Sequence, residues 1–170
     1  MYQLYKYDKN NKNNTEVFNI SNNNLKLVIR KISLFNLLRS DHFVVDLYWL
    51  INTKGNCWVY SVYDEAKEIH HSYVTNKCYK FPFMKKEDIQ ISNGFTDEDY
   101  RGYGIYTFIM HKIVFDYLAN NNGDIYGLVE QENVIPQKQL MKVGFVKTDE
   151  IVTEKIFGVL KIYHTASFIS

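Results

Sequence analysis

The pattern that most constrains the fold is a strand, a helix and a second strand in the second half of the chain. The helical part is marked by apolar residues three or four positions apart, namely Ile105, Phe108, Ile109, Ile113 and Tyr117. Extended segments at residues 88–95 and 125–129 lie on either side of it, and Asn and Gly at 120–123 end it. Such a run implies two neighbouring parallel strands joined by a right-handed crossover, and ligands favour the carboxyl ends of such strands.

The rest of the chain is rich in short β segments. Predicted strands lie at residues 2–7, 16–20, 25–32, 44–51, 58–63 and 68–75, and Ser33 caps a brief helix predicted at 33–39. A shorter helix near Lys142 is closed by Gly144, and two strands follow on either side of Gly158. The expected fold class is α/β: a mixed, mostly antiparallel central sheet with flanking helices, in one domain over residues 1–170.

A Gly-rich loop connects the first parallel strand to its helix. Gly102 and Gly104 stand where the first turn of that helix has free N–H groups and a partial positive charge. Two glycines there let the backbone approach a diphosphate, and Arg101 can add a charge-assisted hydrogen bond. A Gly-x-Gly by itself is as easily explained as a tight turn.

A second motif follows at a fixed distance. After the strand at 125–129 come Asn133, a helix, and Gly144 with Phe145. The loop Arg101-Gly102-Tyr103-Gly104-Ile105 resembles the Arg-x-x-Gly-x-Gly/Ala pyrophosphate loop of the GNAT acyltransferases, and Asn133 with Gly144-Phe145 matches the spacing of that family's next segment. The resemblance covers roughly residues 88–145, and two motifs in the correct order are more specific than either alone.

This resemblance implies a GNAT-like sheet with a splayed pair of parallel strands, and acetyl-CoA as the acyl-donor cosubstrate. Because no Cys or Ser stands in a nucleophile arrangement, we expect the acetyl group to pass directly from acetyl-CoA to a primary amine. The main chain of residues 94–96 would hold the pantetheine arm, and a backbone N–H near Asn93 or Gly94 would polarise the thioester carbonyl. The residues expected to contact the cofactor are Gly94, Phe95, Thr96, Arg101, Gly102, Tyr103, Gly104, Ile105, Tyr106 and Asn133.

Two positions depart from the family pattern. Tyr106 replaces the usual final Gly or Ala of the loop, which puts an aromatic residue near the expected diphosphate. Leu140 stands where the family often has a Tyr that protonates the departing thiolate, so that role has no counterpart here. An ordinary thiol has a pKa of about 8.5, so its thiolate leaves reasonably well without a dedicated acid. The departures also favour an alternative, a non-catalytic CoA-binding module with the same fold.

No motif marks the base that deprotonates the amine. An alkylammonium must lose a proton before it attacks, so a carboxylate, a His or a water chain should lie near the splayed strands. The candidate catalytic residues are Glu130, Ser92, His71 and Tyr73, with Asp88 as a further carboxylate.

Neither the histidines nor the cysteines follow a metal-ligand pattern. Because side chains alternate along a strand, His71 and Tyr73 should share one face, and His70 should lie on the other. His70 and His71 are therefore not expected to ligate one metal. Cys57 and Cys78 lack the spacing of a zinc site or of a disulfide framework. We expect no metal.

Composition argues against several classes of partner. Lys and Arg (20) nearly balance Asp and Glu (19), so no positive field attracts nucleic acid or anionic lipid. No stretch is long enough to span a bilayer, and residues 1–7 do not read as a secretion signal. We therefore expect a cytoplasmic protein whose acceptor is a small-molecule amine, such as an amino sugar, with a protein N-terminus or lysine as the alternative. An exposed sheet edge favours a homodimer.

Overall fold

In the computed structural model, one eight-stranded sheet organises the chain. The structure describes residues 1–10, 25–38, 40–76, 83–156 and 159–164. The elements follow in the order β1 (Tyr2–Tyr7), β2 (Leu25–Lys31), α1 (Leu34–Leu37), α2 (Phe43–Thr53), β3 (Cys57–Asp64), β4 (Lys67–Asn76), β5 (Ile89–Thr96), α3 (Ile105–Leu118), β6 (Ile125–Glu130), α4 (Val134–Val143), β7 (Phe145–Ile156) and β8 (Val159–His164). A 3₁₀ turn at Glu98–Tyr100 precedes α3.

The strands lie side by side in the order β2-β3-β4-β5-β6-β1-β7-β8. Neighbouring strands pair antiparallel except β5 and β6, which are parallel and are connected through α3. The expected fold class, a mixed and mostly antiparallel α/β sheet with flanking helices, is confirmed.

Helices cover both faces of the sheet because side chains alternate along each strand. On β3, Tyr60 joins the larger core beneath α3 and α4, whereas Val59 joins a smaller core that includes Trp49 of α2. On β4, Val74 and Tyr73 divide in the same way. We call these two sides the α3 face and the α2 face.

Residues 44–51, predicted as a strand, form most of the helix α2 instead. Its buried residues Asp46, Trp49 and Thr53 recur three and four positions apart, whereas Val44 and Ile51 are exposed. The prediction was wrong because periodicity in a short run rich in apolar and β-branched residues does not separate a strand from a helix. Packing of Trp49 against β3 and β4 decides in favour of the helix.

The other predicted elements agree with the structure where it describes them. α1 is a single turn within the helix predicted at 33–39. The strand predicted at residues 16–20 and the residue Cys78 lie outside the described residues, whereas Cys57 is a buried free thiol. None of the helices in the described part of the chain is long and apolar enough to cross a membrane.

Candidate active site

The parallel strands β5 and β6 are paired over only the first half of their length. They pair at Ile89 with Ile125, Gln90 with Tyr126 and Ile91 with Gly127, and the pairing ends there. Beyond it, residues 93–95 of β5 are exposed. The carboxyl ends of the two strands therefore border a gap in the sheet, as the predicted splay requires.

A bulge in β5 lies at the edge of this gap. The pairs on either side of it are Tyr73 with Ser92 and His71 with Phe95. Between them β4 contributes only Ser72, whereas β5 contributes Asn93 and Gly94. Asn93 has a φ of 48°, a left-handed conformation that Asn tolerates better than most residues. A bulge interrupts the ladder, so backbone groups here are released from regular strand pairing.

On the α3 face, the bulge rests on buried side chains. A Cβ atom at Gly94 would lie 2.9 Å from the ring of Tyr106, so the ring packs directly beneath the backbone. Burial raises the pKa of Tyr106 to about 12. The Tyr106 side chain, expected near the diphosphate, thus points into the core and away from the loop.

A buried histidine accompanies Tyr106. The His70 ring lies 6.0 Å from the Tyr106 ring, and its Nδ1 and Nε2 lie 2.8 Å from Thr96 Oγ1 and 3.0 Å from Ser72 Oγ. Burial lowers the pKa of His70 to about 3, so this imidazole is neutral near pH 7. No sequence motif marks His70, and only its alternation with His71 along β4 predicts that it lies on this face.

The Gly-rich loop opens α3 at the same edge of the sheet. Gly102 and Gly104 have φ values of 86° and 79°, and a Cβ atom on either would meet open space. Gly104 is the N-cap of α3 and provides no side-chain cap, so the first N–H groups of the helix depend on another acceptor. Tyr103 is 75% exposed, and Ile105 is buried beneath the helix start.

Arg101 braces this loop. Its Nε donates to the carbonyl oxygen of Thr96 at 3.1 Å, and its Nη1 pairs with Glu98 at 3.1 Å. Both members of the ion pair are largely exposed, so the pair adds little stability. Arg101, the residue predicted to bind phosphate, is therefore held beside the carboxyl end of β5 with its guanidinium at the surface.

Across the gap, β6 leads into α4. Asn133 is the N-cap of α4, and its exposed side chain makes no cap hydrogen bond. Leu140 is buried, and a Cβ atom at Gly127 would lie 2.8 Å from its Cδ1. Leu140, at the position that often carries a Tyr in GNAT sequences, is thus an apolar residue that packs α4 against β6.

On the α2 face, Tyr73 belongs to a buried ion-pair network. Its hydroxyl donates to Asp46 at 2.8 Å, and Arg30 donates to the same carboxylate at 2.7 Å. Burial alone would raise the pKa of Asp46, but the hydrogen bonds from Arg30, Ser40 and Tyr73 hold it below its ordinary value. Burial and the Asp46 carboxylate raise the pKa of Tyr73. Tyr73 is thus a structural hydrogen-bond donor in this network.

His71 lies beside this network in a cluster with Glu68 and His42. Glu68 and His71 would lie on opposite faces of a regular strand. A register shift between β3 and β4 leaves Ile69 as an extra residue, and this brings both side chains to the α2 face. His42 Nε2 lies 2.8 Å from one Glu68 oxygen, and His71 Nδ1 lies 3.6 Å from the other. Their three donor atoms all lie within 4.8 Å of one another, a spacing compatible with a metal ion.

The remaining candidates are spread along the parallel strands. Ser92 flanks the bulge, and its hydroxyl has no hydrogen-bond partner among the described residues. Glu130 is exposed at the end of β6, where the Tyr2 hydroxyl donates to it at 3.2 Å. Asp88 accepts backbone N–H groups of Lys85 and Asp124 at the amino end of β5. Asp88 therefore ties the amino end of β5 to its neighbours, at the opposite end of the strand from the gap.

No protein-family model and no curated protein matches the sequence. Solved structures match it in three dimensions. A GNAT-family acetyltransferase from Colwellia psychrerythraea matches with a TM-score of 0.56 and 12% identity over 86% of this chain and 52% of that chain. AAC(6')-Iy, solved with the bisubstrate analogue CoA-S-monomethyl-acetylneamine, matches with a TM-score of 0.55 and 13% identity over 77% and 98%. The IAA acetyltransferase from Bacillus cereus matches with a TM-score of 0.53 and 13% identity over 82% and 96%.

Some of the matching proteins are longer. The chain spans 59% of a protein from Novosphingobium aromaticivorans and 57% of one from Staphylococcus epidermidis. At these low identities the similarity is one of backbone fold, and the substrate of this chain cannot be inferred from the substrates of those proteins. In this chain the parallel strands separate and a Gly-rich loop precedes α3, where the sequence predicted both features. Together with the structural matches, this shows that the chain has the fold of the GNAT acetyltransferases.

Proposed function

We propose that the chain is an N-acetyltransferase that moves an acetyl group from acetyl-CoA directly to the primary amine of a small molecule. The observation that carries this proposal is the parting of β5 from β6 next to a helix start that has no side-chain cap. An extended arm needs a gap between strands, and a diphosphate needs free N–H groups at a helix N-terminus. Both lie at one edge of this sheet.

The donor would be held mainly by main-chain groups. The diphosphate binds at Gly102, Tyr103 and Gly104, where two glycines leave open space. The pantetheine arm runs along Gly94, Phe95 and Thr96, and Asn133 faces it from the start of α4. Main-chain donors suit this task because they are fixed before the ligand arrives.

The thioester carbonyl would lie at the bulge. Asn93 and Gly94 interrupt the β4–β5 ladder, and an N–H released there stabilises the negative charge that develops on the carbonyl oxygen during attack. This assignment supports one-step transfer, because the described part of the chain has no activated thiol nearby. Cys57 is buried, and burial raises the pKa of its thiol.

One comparison provides a precedent for a small acceptor. AAC(6')-Iy was solved with an analogue that combines CoA with an acetylated neamine, so one protein of this fold accommodates a small amine next to CoA. Leu140 leaves the departing thiolate without the family's tyrosine. Water supplies that proton in this proposal, and Leu140 separates this chain from GNAT proteins with a dedicated acid.

Calorimetry with acetyl-CoA and a thiol-release assay test this proposal together. Acetyl-CoA should bind one site per chain, and free thiol should appear with at least one member of a panel of amino sugars, polyamines and alkylamines. Binding without thiol release on any amine would favour a non-catalytic CoA-binding module. Absence of binding heat with folded protein would exclude the function.

A further inference from the structure

The α2 face carries a carboxylate with one unused oxygen. Glu68 engages His42 through one oxygen at 2.8 Å, whereas its other oxygen is buried and has no hydrogen-bond partner within the described residues. His71 Nδ1 faces that oxygen at 3.6 Å, which is too long for a hydrogen bond. A buried acceptor left unsatisfied is unfavourable, so a donor from outside the chain would find a favourable position here.

The cluster lies directly beside the bulge. His71 pairs across the sheet with Phe95, and its ring stacks on the Phe95 ring with centroids 5.5 Å apart. Asn93 and Gly94 immediately precede Phe95 along β5, so His71 flanks the backbone to which we assigned the thioester carbonyl. The side chains of Glu68 and His71 retain 15% and 14% of their exposure, and Phe95 retains 48%. The cluster therefore keeps some contact with solvent next to the exposed Phe95 ring.

We propose that Glu68 binds the ammonium group of the acceptor and that His71 takes the proton which that group must lose. This inference rests on the proposed function, because it assigns the acceptor side of the same site. It commits the acceptor to a primary ammonium that arrives from the α2 face. His42 is a positioning residue that fixes the Glu68 carboxylate.

The chemistry balances without a further reagent. The ammonium donates one hydrogen bond to the unused oxygen of Glu68, and His71 accepts a proton from the same nitrogen. The neutral amine attacks the thioester carbon, a C–N bond forms, and the C–S bond breaks. The sulfur leaves as a thiolate and takes up the second proton lost by the nitrogen, through water, while His71 later returns its proton to solvent.

His71 is suited to accept a proton at neutral pH. Burial, followed by the neighbouring His42, lowers the pKa of His71, and Glu68 opposes this effect. The other charged groups that act on it are Arg30 of β2 and Asp46 of α2, and the Tyr73 ring packs against it. The imidazole is thus neutral before the ammonium arrives.

The first test measures ammonium binding apart from turnover. Butylammonium should shift the side-chain NMR signals of His42 and His71 in the full chain, and butyltrimethylammonium, which has no N–H to donate, should not. Glu68→Gln should abolish the shift, whereas Glu65→Gln in the neighbouring turn should retain it. Equal shifts in Glu68→Gln, or none in the unmodified chain, would overturn the proposal even if acetyl transfer occurs.

The second test uses kinetics with whichever amine is acetylated. Glu68→Gln should raise KM for the amine about tenfold or more, and His71→Gln should lower kcat about a hundredfold with little change in KM. The acid limb of the kcat/KM profile should disappear in His71→Gln, which a merely structural role would not produce. Unchanged kinetics in both folded variants would overturn the assignment.

The outcomes separate this inference from the proposed function. If butylammonium binds through Glu68 but acetyl-CoA does not bind, the ammonium site stands and acetyl transfer fails. If acetyl-CoA is consumed but Glu68 is dispensable, acetyl transfer stands and the ammonium site fails. A stoichiometric metal in the purified chain that is lost in His71→Gln would also overturn the proposal, because the cluster would then be a metal centre.

Discussion

The ring of Tyr106 packs against the backbone of Gly94, and its Cε2 lies 2.9 Å from the position that a β-carbon at residue 94 would take. Gly94 belongs to the bulge of β5, and Tyr106 belongs to the first turn of α3. Their contact links the position proposed for the thioester to the loop proposed for the diphosphate. Any residue larger than glycine at 94 must disturb one of these two parts.

Gly94→Ala should destabilise the fold by about 1–3 kcal/mol through overpacking against an aromatic ring. The φ of Gly94 is not left-handed, so the effect comes from the clash and not from backbone strain. The affinity for acetyl-CoA should fall about tenfold or more because the bulge is displaced. Urea unfolding and calorimetry measure the two effects.

A second substitution checks this explanation. Tyr106→Leu removes the ring that a β-carbon at 94 would meet. Combined with Gly94→Ala, it should give a smaller total destabilisation than the sum of the two single changes. Strict additivity in urea unfolding would show that the ring is not the obstacle.

Gly104→Ala should weaken acetyl-CoA binding about tenfold or more, because the left-handed φ of 79° that shapes the loop disfavours any residue with a β-carbon. The fold itself should lose about 1–2 kcal/mol. Gly55→Ala is the matched control, since Gly55 has a φ of 77° in the turn that follows α2, away from the Gly-rich loop. It should cost similar stability and leave acetyl-CoA affinity unchanged; equal losses of affinity in both variants would contradict a phosphate role for the loop.

His70 should make the fold sensitive to acid. The pKa of this imidazole is about 6.5 in the unfolded chain, and burial lowers it to about 3 in the folded chain. Between these values the unfolded state binds more protons, so stability falls as the pH falls, by up to about 1.4 kcal/mol per pH unit. Urea unfolding at pH 7, 5.5 and 4 should show a steeper loss in the unmodified chain than in His70→Gln. Parallel losses would mean that His70 is not buried as a neutral ring.

Leu140→Ala should cost about 2–5 kcal/mol, because it leaves a cavity where α4 packs on Gly127. Its neighbour Met141 is half exposed, and Met141→Ala should change stability by no more than about 0.5 kcal/mol. Acetyl-CoA affinity should remain within about threefold in both variants if Leu140 is a packing residue. A large and selective loss of affinity in Leu140→Ala, seen by calorimetry, would assign it to the cofactor site instead.

Sequence patterns were sufficient for the parallel strand pair and for the loop between them. Gly102 and Gly104 predicted a tight loop at a helix start, and both have the left-handed backbone that glycine permits in such a loop. The helix α3 was predictable because its apolar residues recur over several turns. In contrast, residues 44–51 were misread, because the burial of Asp46 by Arg30 of a distant strand is invisible in a local pattern.

The side chains around the gap were harder to predict than its backbone. Simple alternation puts Glu68 and His71 on opposite faces, and only the extra residue Ile69 unites them. A bulge arises from how two strands align, so a single segment does not reveal it. His42 was equally hidden, because it reaches Glu68 from the start of a helix that the sequence had suggested was a strand.

The short ladder between β5 and β6 also affects how the chain holds together. Three residue pairs join the set β2-β3-β4-β5 to the set β6-β1-β7-β8. A molecule bound between β5 and β6 would contact both sets of strands and stabilise their association for as long as it is bound. Ligand binding between β5 and β6 should therefore raise the melting temperature in proportion to the logarithm of ligand concentration. Amide hydrogen exchange should slow in both sets of strands at the same time.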